Sequence, residues 1–259
     1  MNPEPWSHSR HGDAAETEIA AYATLLDGAD LAAPVPTCPG WTVGELTVHL
    51  GGTHRWAEAT VRLRVPERRS RRALGVTDPA APEETPAWYR EGGALLMRTL
   101  RATGGDVPVW GWGPDHHARF WSRRMLHETA VHRCDLEIAL GRRPEVDRAV
   151  AVDGIDELLE NLPSAAAFSP NVANLRGDGA ELGFETADAG TRWTLRLLPD
   201  GFEWARADGG AGRPGASVRG SASDVYLFLW GRLKPGDPAL EFSGDGELLR
   251  RWTENSAVG

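Results

Sequence analysis

Residues 118–140, ARFWSRRMLHETAVHRCDLEIAL, carry the strongest helical pattern of the chain, and Gly141 ends it. Arg124, Glu128, His132 and Asp135 lie three or four positions apart, so the helix brings four ionisable residues to one face. Met125, Leu126, Val131, Leu136 and Ala139 flank that face. An ionisable stripe set among apolar residues is predicted to point into a bundle of helices rather than at water.

The flanking segments supply the rest of such a bundle. A helix is expected from Ala14 to Asp30, where Ile19, Tyr22, Ala23, Leu25 and Leu26 recur at helical spacing. Pro34 to Trp41, with three prolines and a glycine, is an irregular connector. Thr42 and Glu45 form a capping-box pattern that starts a second helix, carrying Leu46, His49, Leu50 and Trp56 to about Val65. Six arginines between Arg62 and Arg72, then the proline-rich 78–86, mark an exposed and mobile linker. A third helix is expected over Ala87–Thr103, and a fifth, after the 118–140 helix, over about Arg148–Asn161. Beyond Pro163 glycines become frequent, and 192–197 and 201–205 alternate as strands do. Ser221 with Asp224 is read as the cap of another helix, and a last one spans about Glu247–Thr253. The expected fold class is α+β and multidomain: a four-helix bundle over residues 1–165, then a small α+β domain over 166–259.

The chain has 259 residues, 41% hydrophobic and 25% charged, which suits one large or two small soluble domains. With 37 acidic residues against 28 basic ones the net charge is -9, so the basic surplus of a nucleic-acid footprint is missing. The two cysteines, Cys38 and Cys134, are too few for a disulfide framework and point to a reducing cytoplasm. The first residues contain no apolar stretch of a signal peptide, and no segment has the roughly 20 apolar residues of a membrane span. The expectation is a cytoplasmic protein that binds neither nucleic acid nor membrane.

On the second helix His49 lies between Leu46 and Leu50, an inward-facing position. His49, Glu128 and His132 together would supply two imidazoles and one carboxylate, the ligands of a catalytic zinc site whose fourth position is open. The same set suits non-haem iron(II). Spacing alone leaves a helix-surface ion pair and a satisfied core histidine as alternatives. Arg124 and Asp135 read either as partners that orient the ligands or as an interhelical salt bridge. Asp115-His116-His117 and the arginine run are better read as solvated segments, although the run could attract an anionic substrate or cofactor. Cys38 has no neighbour in sequence that would lower its pKa.

Several motifs, in order along most of the chain, resemble the maleylpyruvate isomerase family of mycothiol-dependent enzymes. They are Pro36-Thr37-Cys38-Pro39-Gly40-Trp41-Thr42-Val43 with Glu45-Leu46 and His49-Leu50; His127-Glu128-Thr129-Ala130-Val131-His132-Arg133-Cys134-Asp135; Asp153-Gly154-Ile155-Asp156-Glu157-Leu158; and Leu229-Trp230-Gly231-Arg232. The resemblance implies a DinB-like N-terminal bundle joined to a small α+β domain, with zinc at His49, Glu128 and His132. It also implies a functional arginine in the C-terminal domain, for which Arg232 is the candidate. Cys134 departs from the aromatic residue expected there and sits about 200° round the helix from His132, a packing position.

An open zinc position would deprotonate a coordinated thiol, so the nucleophile can belong to a low-molecular-weight thiol cosubstrate, mycothiol by the resemblance. Addition to a conjugated cis double bond, rotation and elimination would make a cis-trans isomerase; stopping at the thioether would make an S-transferase. Either needs a small electrophile and a group such as Arg232 to stabilise developing negative charge. Two alternatives keep the fold: a metal-assisted hydrolase using water, and a non-catalytic ligand-binding or regulatory module.

Overall fold

The computed structural model describes residues 5–207 and 214–257. The chain divides into two compact units between Pro144 and Glu145.

The first unit holds four helices: α1 (His8–Leu25), α2 (Val43–Arg62), α3 (Thr85–Ala102) and α4 (Ala118–Ala139). Each of α1 and α2 packs on both α3 and α4, which closes a four-helix bundle. Tyr22, Leu46, Leu50, Leu96, Leu100, Trp121 and Met125 are buried in its core. Helix α1 starts earlier than its apolar pattern suggests because the Ser7 side chain caps it, accepting from Arg10 N at 3.2 Å. Gly28, at φ +79°, then turns the chain just past its end, short of Asp30. Helix α2 starts at the expected capping box: Glu45 N donates to Thr42 Oγ1 at 3.2 Å, and Thr42 N donates to Glu45 Oε2 at 2.8 Å. Burial of Leu46, Leu50 and Ala57 fixes the rotation of α2 and leaves His49 at the edge of the core, its side chain 34% exposed.

The second unit holds α5 (Arg148–Ala165), β1 (Glu181–Thr186), β2 (Arg192–Leu198), β3 (Gly201–Ala207), β4 (Ala216–Gly220), α6 (Ala222–Leu229), β5 (Glu241–Gly244) and α7 (Gly246–Asn255). The sheet order is β3-β2-β1-β4-β5, antiparallel except for the parallel pair of β1 and β4. Leu182, Phe184, Trp193, Leu195 and Val218 of the sheet are buried, as are Val225 and Phe228 of α6 and Trp252 of α7. Helix α5 falls in this unit, ahead of the 165/166 division expected between the domains. Asp156 on α5 accepts from Trp193 Nε1 on β2 at 2.6 Å and from Arg206 Nη1 on β3 at 2.5 Å, and α5 packs along α6. No helix of the described residues is long and apolar enough to cross a membrane.

Candidate metal centre

Two helices and one connector of the first unit bring the site together. Helix α2 supplies His49, helix α4 supplies Glu128 and His132, and the connector before α2 supplies Thr37, Cys38 and Trp41. The connector is built from tight turns: Cys38 N donates to Val35 O at 3.1 Å, and Trp41 N to Cys38 O at 3.0 Å. In the second of these Gly40 takes φ +86° after Pro39, the Pro-Gly chemistry of a type II turn. Gly40→Ala would place a Cβ in the left-handed region and is expected to cost about 1–2 kcal/mol in a denaturant titration; an unchanged midpoint would refute the strain.

His49 Nε2 lies 3.3 Å from Glu128 Oε1, and His132 Nε2 lies 3.5 Å from the same oxygen. The two imidazoles stand nearly perpendicular, ring centroids 5.1 Å apart, and the Trp41 indole lies 4.9 Å from the His49 ring. Among the described residues, two groups of donors have all their ligand atoms within 4.8 Å of one another: His49-Glu128-His132, and Cys38-His132-Asp135. They share His132 through opposite nitrogens.

The second group forms the hydrogen-bonded back of the first. Asp135 is fully buried, and its carboxylate accepts from His132 Nδ1 at 2.8 Å, Thr37 Oγ1 at 2.6 Å and Cys38 Sγ at 3.6 Å. With Nδ1 donating to Asp135, Nε2 is the nitrogen that faces Glu128 and His49, the outer-shell arrangement that a metal-ligating histidine needs. Two imidazole nitrogens and one carboxylate oxygen converging on one point therefore fit a divalent ion, which would take the place of a proton on Nε2. Side-chain exposures of 34% for His49, 22% for Glu128 and 12% for His132 leave the group open to a further ligand.

Electrostatics follow the same geometry. Burial by itself would raise the pKa of Glu128, but hydrogen bonds from His132 and His49 and the nearby Arg124 hold it well below the usual carboxylate range. Burial would likewise depress His132, yet Asp135, Cys38 and Glu128 together hold it well above the ordinary histidine value. Arg124 is buried, with Nη2 3.4 Å from Glu128 Oε2, so it balances the carboxylate from the side away from the histidines' Oε1. Behind the cluster, His54 is a core residue: Thr129 Oγ1 donates to Met125 O, so His54 Nε2 donates to Thr129 Oγ1 at 2.9 Å. Burial pushes the pKa of His54 down to about 3 and keeps it neutral.

The stripe read on α4 thus has all four members in one network, joined by His49. Cys134 is buried in neither donor group, and burial pushes its thiol up to about 12. Asp115 is engaged by His117 Nδ1 at 2.6 Å and Arg119 Nε at 2.8 Å, and these residues form no donor group either. Arg232 follows α6 in the second unit, partly exposed, with Nη1 donating to Trp230 O at 2.6 Å. Thr37 and Cys38 as partners of Asp135, and Arg71 at the His49 backbone, had no signal in the sequence, since each contact joins residues 22 to 98 positions apart.

A family model described as the mycothiol maleylpyruvate isomerase N-terminal domain matches residues 13–137, and the model of the C-terminal domain of that family matches residues 149–251. Solved structures that resemble most of the chain include the mycothiol-dependent maleylpyruvate isomerase, at 15% identity, and a histidine-to-alanine mutant of it, at 14%. Each has a TM-score of 0.63 and covers 92% of this chain and 93% of its own. Identities this low speak for the fold alone. No curated protein matches the sequence.

Proposed function

The chain belongs to the mycothiol maleylpyruvate isomerase family, and from that premise we propose that it is a mycothiol-dependent metalloenzyme acting on a small electrophile. The reaction is thiol-assisted cis-trans isomerisation or thiol S-transfer. The observation that supports this reading most is the convergence of His49 Nε2, Glu128 Oε1 and His132 Nε2 in front of the buried Asp135. Those three residues would hold zinc or another divalent ion, which when bound supplies a thiolate at neutral pH from a thiol entering its open position.

The remaining work falls to the chain. Asp135 takes the His132 proton on Nδ1, Arg124 offsets the charge of Glu128, and Trp41 packs beside the His49 ring. Arg232 is the proposed residue for negative charge that develops on the electrophile. Preorganised donors of that kind contribute about 10²–10³ in rate. Arg232→Ala is therefore expected to keep its metal and lose about that factor in kcat/KM; an unchanged kcat/KM removes Arg232 from the mechanism.

Metal analysis of the purified protein, followed by cobalt substitution and addition of mycothiol, tests the whole reading. About one ion per chain and a cobalt spectrum that moves towards sulfur ligation on adding the thiol are expected. Turnover that needs water but no thiol would make the protein a hydrolase, and a chain that binds no divalent ion would be no metalloenzyme.

A further inference from the structure

Behind the metal centre His132 offers its other nitrogen, and a thiol stands beside it. Cys38, His132 and Asp135 have their ligand atoms within 4.8 Å of one another, and the His132 nitrogen facing Asp135 is Nδ1, at 2.8 Å. Two backbone turns fix Cys38, with its N on Val35 O and its O accepting from Trp41 N, and Asp135 is held in the buried core of α4. Cys38 itself is partly exposed, which gives a small ion a way in.

This rear group differs in chemistry from the front one. It includes a sulfur donor, and as thiolate and carboxylate its two anions match the charge of a divalent ion, whereas His49, Glu128 and His132 supply one anion. The spacing suits a shared ion as well. Cys38 Sγ lies 3.6 Å from Asp135 Oδ2; a thiolate and a carboxylate on one tetrahedral ion, with bonds of about 2.3 and 2.0 Å, stand about 3.5 Å apart. The 2.8 Å between Nδ1 and Oδ2 has to open to about 3.3 Å as the ion replaces the proton between them.

We propose that Cys38, His132 and Asp135 form a second metal seat, selective for a soft, thiolate-seeking ion, and that its occupation empties the front seat. The exclusion rests on the reading of His49, Glu128 and His132 as a metal centre. A neutral imidazole has one lone pair, so Nδ1 bound at the rear leaves the proton on Nε2, which then cannot ligate beside His49 and Glu128. One histidine thereby switches between a nitrogen-and-oxygen seat and a sulfur-containing one, and a soft ion at the rear stops the chemistry of the front without entering it.

Cadmium(II) is the probe, because a cadmium thiolate has an ultraviolet charge-transfer band that cadmium on nitrogen and oxygen lacks. Added to metal-free protein with no small thiol present, cadmium is expected to raise that band in wild type. Cys38→Ser, which keeps a hydroxyl donor for Asp135, should lose it. His132→Ala should need about tenfold more cadmium or beyond, and His49→Ala, which breaks only the front group, should keep the band. A band that survives in Cys38→Ser places the sulfur at Cys134, one unchanged in His132→Ala belongs to a lone thiol, and one lost in His49→Ala makes Cys38 a ligand of the front ion. Each of these overturns the second seat, as does wild type without a band. On zinc-loaded protein, zinc retained after dialysis should fall as the band grows; full zinc beside a full band overturns the exclusion. Failure of the front reading shows separately, as wild type that gives the cadmium band but binds no zinc.

Discussion

His132→Ala is expected to strip the divalent ion from the protein, weakening zinc by about 10²–10³-fold. Four-ligand zinc sites bind with about 10–16 kcal/mol in all, so one strong ligand accounts for about 3–4 kcal/mol. His132 contributes more than a lone pair, because it is the one residue shared by both donor groups, with Glu128 on one nitrogen and Asp135 on the other. Removing it leaves His49 and Glu128 as a two-donor remnant. Glu128→Gln, which keeps the shape and loses the charge, should weaken zinc less. Cys134→Ala is the control: it alters the same helix in the buried core, two residues from the ligand, and should bind zinc as wild type does. Competition titration against a chromophoric chelator measures all three. Wild-type affinity in His132→Ala would place the metal elsewhere or nowhere.

How much of this site was readable from sequence depends on the range of each contact. The Arg124-Glu128-His132-Asp135 stripe is a property of one helix, so periodicity alone places its members on one face, and the structure joins them there. The addition of His49 needs α2 to lie beside α4, and no local rule carries a contact across 79 positions. Its place between Leu46 and Leu50 marked His49 as inward-facing, while its pairing with Glu128 and His132 was implied by the motif resemblance. Thr37 and Cys38 reach Asp135 from a connector whose prolines announce irregularity but not the direction in which its side chains point. Arg71 was hidden among six arginines of equal character, and only its contacts with His49 O, Thr53 and the gap at Gly52 distinguish it.

The fold divides in the same way. The bundle helices show in the apolar pattern because each buries one stripe, while their ends depend on caps: Thr42 with Glu45 was legible as a box, whereas Ser7 has no such reciprocal partner. Helix α5 is apolar on a face that would suit either unit, and the tie that places it in the second, Asp156 to Trp193 and Arg206, spans 37 and 50 positions. Strand β2 alternates clearly between buried and less buried residues. The parallel pairing of β1 with β4 joins strands separated by an intervening antiparallel pair, which alternation cannot reveal.

Asp135→Ala tests whether the back of the site is as necessary as its front. In the wild type three side chains donate to this buried carboxylate, and His132 is one of them. Alanine leaves His132 Nδ1 without its acceptor, so the imidazole is free to shift its proton to Nε2, where it blocks the lone pair that faces Glu128 and His49. Loss of such an outer partner lowers metal affinity by about 10–100-fold. Stability should respond less than the contact list suggests. Burying a carboxylate carries a desolvation penalty that its removal relieves, while the orphaned Thr37 and Cys38 donors cost about 1–3 kcal/mol each at most. Asp135→Asn separates tautomer from charge: an amide with its carbonyl towards His132 and its NH₂ towards Thr37 Oγ1 still accepts from Nδ1, so its zinc affinity should fall between wild type and alanine. Zinc competition and thermal unfolding on the same three proteins decide the matter. An affinity in Asp135→Ala equal to wild type would mean that His132 holds its tautomer without Asp135, and the paired donor groups would then have no functional connection.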